Sequence, residues 1–397
     1  EEKIALRALI DVNLPKFTTN DTPLFEGIIG DLFPTTEIEL ADHSFLETGL
    51  VNACNELNLQ PNKNFIKKCI QLYETMLVRH ALMLVGKQGL GKSRIIRTLS
   101  KAFNSYLDKR YGLVDYHILN PKSILQKQLY GFFNPISKEW CKGLLQVKML
   151  DLVEKERDLN KWLIFDGPVD TIWIENMNSL LDDNKKLCLD DSSSIPLGHN
   201  MNILFEVDDL SQASPATVSR NGMVLCENDT IKFANLIISY AAELPKIFEP
   251  KFVVHFISTL NMLLKPCLAF ISSQKNNYGI YIDDNHIVQS CLELFECYLQ
   301  DYRVREMQKE NITLKDSEKI SNEKIENMLI FCVRTAVFGI MKRHQSFKEE
   351  CSKFLVDLCS GDKEILSKYN INVDKYDYLS AEEKAPTSTL NTTLAPI

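Results

Sequence analysis

One stretch, Gly86-Lys87-Gln88-Gly89-Leu90-Gly91-Lys92-Ser93, constrains this chain more than any other feature. It follows a continuous apolar run, ALMLV at 81–85. It opens a segment whose Ile95, Ile96, Leu99, Phe103 and Leu107 fall on one helical face. A buried strand, a glycine-rich turn and a helix, in that order, are the context in which G-x-x-x-x-G-K-S holds phosphate. The glycines let the backbone curl so that successive N–H groups point at phosphate oxygens. The helix start adds its partial positive charge. Lys92 is then expected to reach the β- and γ-phosphates, and Ser93 to offer its hydroxyl to Mg2+.

The surrounding pattern supports a sheet that can carry such a loop. YHIL (116–119), WLIFD (162–166), MNILFEV (201–207) and MVLCE (223–227) read as further strands. Helical segments are expected at 62–79, 92–107, 122–131, 138–156 and 171–182, and a hairpin from LCL (187–189) through Pro196. Strands alternating with helices predict a parallel sheet covered on both faces, an α/β fold. From about 230 the strand signals stop. Helices are expected at 231–242, 247–273, 284–302, 322–343 and 346–359. The spacing divides the chain into 1–34, a helix and then a short apolar turn or helix at 27–34; 35–60, an acidic connector; 61–229, the nucleotide-binding subdomain; 230–360, a helical subdomain; and 361–397, a polar tail expected to be disordered. The charged stretch 303–321 reads as a mobile connection.

Composition removes other readings. The net charge of −8 disfavours a nucleic-acid binder, which needs basic stripes. Eleven cysteines without a C-x-x-C pair read as reduced, mostly buried thiols in a cytosolic setting. No His/Cys cluster has metal spacing. The apolar runs look shorter than the roughly 20 residues a membrane span needs. The chain opens without Met inside a helical pattern, which reads as a fragment.

Three further positions carry chemistry. Asp166 ends a buried strand after the loop and is expected to hold Mg2+ through water. The residue after it is Gly167, which cannot serve as a base, so the residues imply nucleotide binding with slow or absent hydrolysis and assign no catalytic residue. Glu206 ends the next strong strand and reads either as a γ-phosphate sensor or as the partner of a neighbouring cation. Arg220 follows the loop Ser214-Pro215-Ala216-Thr217-Val218-Ser219. Its planar fork suits a finger reaching a neighbour's phosphate, or else an ion pair within its own domain.

KWLIFDGPVDTIWIENMNSLLDDNKKLCL (161–189) and LSQASPATVSRNGMV (210–224) resemble the second of the six AAA+ modules of dynein heavy chains, nearest to the axonemal branch. Residues 5–34 resemble the end of the first module's lid, and PCLAFI (266–271) and FCVRTAVFGI (331–340) the second module's own lid. The resemblance implies an AAA+ P-loop fold with an all-α lid. It implies ATP and Mg2+ held by Gly86 to Ser93, Asp166 and Glu206 with little or no hydrolysis, and Arg220 serving the first module's site. Arg7 matches a lid arginine of the first module, and Gln289 stands where a phosphate-sensing arginine is expected. The implied partners are the neighbouring modules of the same chain, with intermediate and light chains and the microtubule met through other regions, at the cytoskeleton of a cilium or flagellum. No nucleic acid and no membrane are implied. A catalytically active ATPase using another carboxylate such as Glu206, or a nucleotide-free scaffold, are the competing readings.

Overall fold

The computed structural model describes residues 2–34, 42–107, 111–154, 159–227, 230–246, 248, 250–278, 283–307, 322–340 and 345–359. The expected tail after 360 and most of the expected mobile connection lie outside them. The chain divides into two compact units, with the boundary between Ile231 and Lys232.

In the first unit, helices α1 (Glu2–Asn13), α2 (Thr22–Leu32), α3 (Ser44–Glu56) and α4 (Lys63–Val78) lead into strand β1 (Ala81–Val85) and helix α5 (Lys92–Ser105). Strand β2 (Leu113–Leu119), helix α6 (Gln126–Tyr130), the hairpin β3 (Gly131–Phe133) and β4 (Trp140–Lys142), and helix α7 (Leu144–Glu154) follow. Next come β5 (Leu159–Asp166), short helices α8 (Thr171–Ile174) and α9 (Asn178–Leu181), and the hairpin β6 (Lys186–Cys188) and β7 (Ser194–Pro196). Strand β8 (Met201–Val207), helix α10 (Pro215–Arg220) and strand β9 (Gly222–Leu225) complete the unit.

The main sheet has the order β2-β5-β8-β1-β9, and each of its pairings is parallel. Strand side chains alternate between faces, and the burial follows that parity. Leu82, Leu84, Trp162, Ile164 and Leu204 pack with α3, α4 and α5. Met83, Leu163, Phe165, Ile203 and Phe205 pack on the other face with α6, α7, α8 and α9. A sheet buried on both faces explains why its central strands read as continuous apolar runs. The expected α/β architecture is therefore present.

Several local expectations are corrected. The connector at 35–60 contains α3, whose buried Leu46, Leu50, Ala53 and Cys54 repeat at helical spacing. The expected helices at 122–131 and 138–156 are shortened to α6 and α7, because β3 and β4 pair between them. The expected helix at 171–182 is broken into α8, a 3-10 turn at Glu175–Met177, and α9. Of the turn or helix expected at 27–34, the helix is what forms, as the second half of α2.

The second unit is helical: α11 (Phe233–Ala242), α12 (Pro250–Tyr278), α13 (Asp284–Met307), α14 (Asn322–Ile340) and α15 (Gln345–Cys359). Phe256, Leu264, Val288, Phe295, Leu329 and Val333 form its centre. Helix α12 corrects the reading of apolar run length: its stretch Pro250–Gln274 is long and apolar enough to cross a membrane by length and composition. Half of its most apolar window is buried inside the protein, where Phe256, Leu260, Leu264 and Cys267 join the helical core, as in a core helix. The ten described cysteines are free thiols, and burial raises Cys54 and Cys226 to about 11.

Candidate nucleotide-binding site

The site lies at the carboxyl ends of β1, β5 and β8. The loop Gly86–Gly91 leaves β1, which is fully buried, and enters α5 through Gly91 at φ +85°. That left-handed conformation is open to glycine with little penalty. A Cβ on Gly91 would also lie 2.2 Å from the Ile231 Cδ1 atom. At Gly86 the constraint is a close approach, since a Cβ there would sit 2.5 Å from the Cys226 backbone oxygen. Lys87, Gln88 and Gly89 are exposed along the loop, and Leu90 is buried beneath it. Exposed loop residues above a buried leucine leave room on the outer side of the loop, where a phosphate-holding turn would need it.

Lys92 is buried, and its Nζ is turned toward oxygen atoms of this same region. It donates to the Gly86 carbonyl, to the Lys87 carbonyl at 3.2 Å and to Asp208 Oδ1 at 2.8 Å. The Gln88 side-chain amide donates to Asp208 Oδ2 at 3.2 Å. Ser93 Oγ donates to Glu206 Oε2 at 2.5 Å. Strand β8 also holds the loop through its backbone, with the Gly86 N–H on the Val207 carbonyl at 3.1 Å.

Sheet parity explains the convergence. Asp166 and Glu206 are register partners at the ends of β5 and β8. Both share the parity of Trp162, Ile164 and Leu204, the residues packed on the α5 face. Asp166 is exposed and Glu206 is buried. Burial pushes the Glu206 carboxyl above its usual range, and the nearby Asp166 charge adds to this. The Ser93 hydrogen bond, Lys92 and Arg97 oppose it. A serine hydroxyl with two carboxylates is a set of hard oxygen donors, the kind Mg2+ takes. The predicted loop, Asp166 and Glu206 are thus brought together.

Gly167 follows Asp166, and a Cβ there would lie 3.2 Å from the Asn120 Oδ1 atom at the end of β2. Asp170 instead caps α8, accepting from the Trp173 N–H at 3.2 Å, and pairs with Lys122. Glu175 begins the 3-10 turn that follows α8. Neither takes the place of a carboxylate directly after Asp166.

Arg220 sits apart from this cluster, at the end of α10. Its Nε pairs with Asp182 and its Nη1 donates to the Ala216 carbonyl at 2.8 Å, both within its own unit. Arg7 lies four residues before Asp11 on α1, at 3.5 Å. In the helical unit Gln289 donates to Glu293 at 3.0 Å.

Sequence reasoning missed Asp208 and Asn120. The signal for Asp208 was only its place just past β8, two residues after Glu206. Asn120 had none beyond its place after a strand.

Comparison with known proteins follows this architecture. Residues 1–93 match the family model described as the hydrolytic ATP binding site of the dynein motor region. Residues 81–221 match the AAA domain of the dynein-related subfamily, and residues 256–385 the dynein heavy chain AAA lid domain. Dynein axonemal heavy chain 1 of Rattus norvegicus is 42% identical over 355 residues, covering 87% of this chain and 8% of that protein. Dynein axonemal heavy chain 3 of Mus musculus is 39% identical over 328 residues, 82% of this chain and 8% of that protein. Dynein axonemal heavy chain 12 of Homo sapiens is 43% identical over 273 residues, 68% of this chain and 9% of that protein. The chain thus spans less than a tenth of the length of these relatives. With similarity running through both the sheet unit and the helical lid, the chain belongs to the dynein heavy chains, as an AAA+ motor module of the axonemal kind.

Proposed function

We propose that this module binds ATP with Mg2+ at the Gly86–Ser93 loop, hydrolyses it slowly or not at all, and supports a neighbouring hydrolytic site of the same motor ring. The observation that carries the reading is Gly167, directly after Asp166, where a water-polarising carboxylate would have to stand. Positioning and charge neutralisation are most of what a phosphoryl-transfer site supplies. This site keeps the loop, the lysine and the Mg2+ donors but has no carboxylate directly after Asp166. In this reading Lys92 leaves the Gly86 and Lys87 carbonyls for the phosphate tail, and Ser93 and Asp166 hold the metal, with Glu206 beside it. The module is the second of the ring, and Arg220 belongs to the first module's site. The work is microtubule-based movement in the axoneme of a cilium or flagellum. Microtubule contacts and those to intermediate and light chains are made by other regions of the heavy chain.

The test is equilibrium binding of a labelled ATP analogue together with single-turnover hydrolysis. Binding that drops at least about a hundredfold in Lys92→Ala, with no ADP formed on the timescale of a motor cycle, is expected. A second reading is favoured by one observation, the buried Glu206 carboxyl with its raised pKa at the Ser93 hydroxyl. Such a group can act as a base. Rapid ADP formation that disappears in Glu206→Gln would establish that reading in place of the first.

A further inference from the structure

We propose that Asp208 is a built-in competitor for the phosphate tail and sets how tightly this module holds its nucleotide. The proposal rests on the reading of Gly86–Ser93 as an ATP site.

Asp208 does two things to the loop at once. One carboxylate oxygen takes Lys92 Nζ at 2.8 Å, and the other takes the Gln88 amide at 3.2 Å. Lys92 is the side chain that the motif directs to the β- and γ-phosphates. A carboxylate in contact with that ammonium presents the same chemistry as a phosphate oxygen, anionic and accepting. The two anions therefore compete for one cation. If Asp208 stays where it is, it also adds a negative charge beside a tail that carries several.

The geometry permits exchange. Lys92 is 9% exposed, whereas the Asp208 side chain is 49% exposed and can turn into water. Its neighbour Asp209 is engaged elsewhere, accepting from the Ser211 N–H at 2.9 Å and the Ser211 hydroxyl at 2.5 Å. So two adjacent acids of equal charge differ in one respect: Asp208 grips the loop, and Asp209 folds back on its own turn. Glu206, two residues earlier, holds Ser93 in parallel. Because Glu206 is placed beside the Mg2+ donors, it is left unchanged in the test.

Asp208→Asn keeps the size of the side chain and an oxygen for Gln88 while removing the charge. It is expected to tighten ATP binding on the order of fivefold in physiological salt, the scale of one partly screened like charge removed beside phosphate. The gain grows along the series adenosine, AMP, ADP, ATP and is absent for adenosine, because it acts on phosphate charge alone. It shrinks as salt is added. Asp209→Asn, which deletes an equal charge one residue along, is expected to leave ATP affinity within about twofold of the parent.

Competition calorimetry on the 397-residue chain with these four ligands decides the matter. A wild type that binds none of them overturns the ATP-site reading itself. A wild type that binds ATP, with Asp208→Asn no tighter than Asp209→Asn, overturns the competitor and leaves the site standing. Weaker ATP binding by Asp208→Asn also overturns it, since Asp208 would then be holding Lys92 ready for phosphate. A gain for adenosine equal to that for ATP overturns it as well, because such a gain cannot come from phosphate charge.

Discussion

At the scale of the single residue, Glu206 is the most informative side chain. It is buried, it accepts from Ser93 at 2.5 Å, and its register partner is Asp166. Burial chiefly raises its pKa. A carboxyl with a folded-state pKa above its unfolded value binds its proton more tightly in the folded chain. Its contribution to stability is therefore most favourable in acid, and is lost as pH rises from the unfolded value through the folded one. At neutral pH the ionised group costs stability. Glu206→Gln, which keeps an acceptor for Ser93, is expected to gain about 1 kcal/mol near neutral pH, the scale for relieving a poorly solvated buried group. The gain should vanish as pH falls below the ordinary glutamate range. Urea denaturation at a series of pH values measures it, and a gain of equal size at every pH would show that burial of the charge is not its cause.

At the scale of the element, the hairpin β3–β4 is set by two glycines in contact. Gly131 has φ +110°, and a Cβ on Gly143 would lie 2.3 Å from the Gly131 nitrogen and 2.4 Å from the Leu129 oxygen. These are backbone atoms and cannot swing away. Gly143→Ala is expected to cost about 3 kcal/mol or more. Gly198→Ala is the comparison: its Cβ would meet nothing closer than 3.7 Å, so its melting temperature should stay near that of the parent. Equal melting for the two variants would mean that the hairpin is not pinned there. The same contact shows why this element was illegible in the sequence. Residues 131–133 and 140–142 carry too few side chains for a period, and what pairs them is a glycine crossing that no spacing announces. The central strands were legible for the opposite reason: Leu82, Trp162, Ile164 and Leu204 are buried within long apolar runs that a two-faced sheet requires. Helix α3 was legible in principle through Leu46, Leu50, Ala53 and Cys54, but the acidic residues before it masked the period. At the site, the loop and Asp166 announce themselves by motif and position. Asp208 does not, because its role depends on the reach of Lys92 across from another element.

At the scale of the whole molecule, Arg220 is the residue proposed to join this module to its ring. Within the chain it is held by Asp182 and the Ala216 carbonyl, and the two paired side chains are about a third exposed, Arg220 at 31% and Asp182 at 35%. A partly exposed pair of this kind contributes about 0–1 kcal/mol. Losing it should therefore leave the fold intact. An arginine that completes a neighbour's phosphate site contributes far more, about three orders of magnitude or above in rate. The two scales separate the local role from the ring role. Arg220→Ala in this module alone is expected to change stability by no more than about 1 kcal/mol and to leave its own ATP affinity unaltered. The same substitution in an intact heavy chain is expected to lower microtubule-stimulated ATP turnover by at least about a hundredfold. Arg220→Lys should recover little of it, because an ammonium lacks the planar fork that grips phosphate at two points. Asp182→Asn should retain turnover, since it loosens the hold on Arg220 without removing the guanidinium. Steady-state turnover of the four heavy chains, parent included, is the measurement. Undiminished turnover in Arg220→Ala would confine this arginine to its bond with Asp182 and sever the proposed link between this module and the neighbouring site.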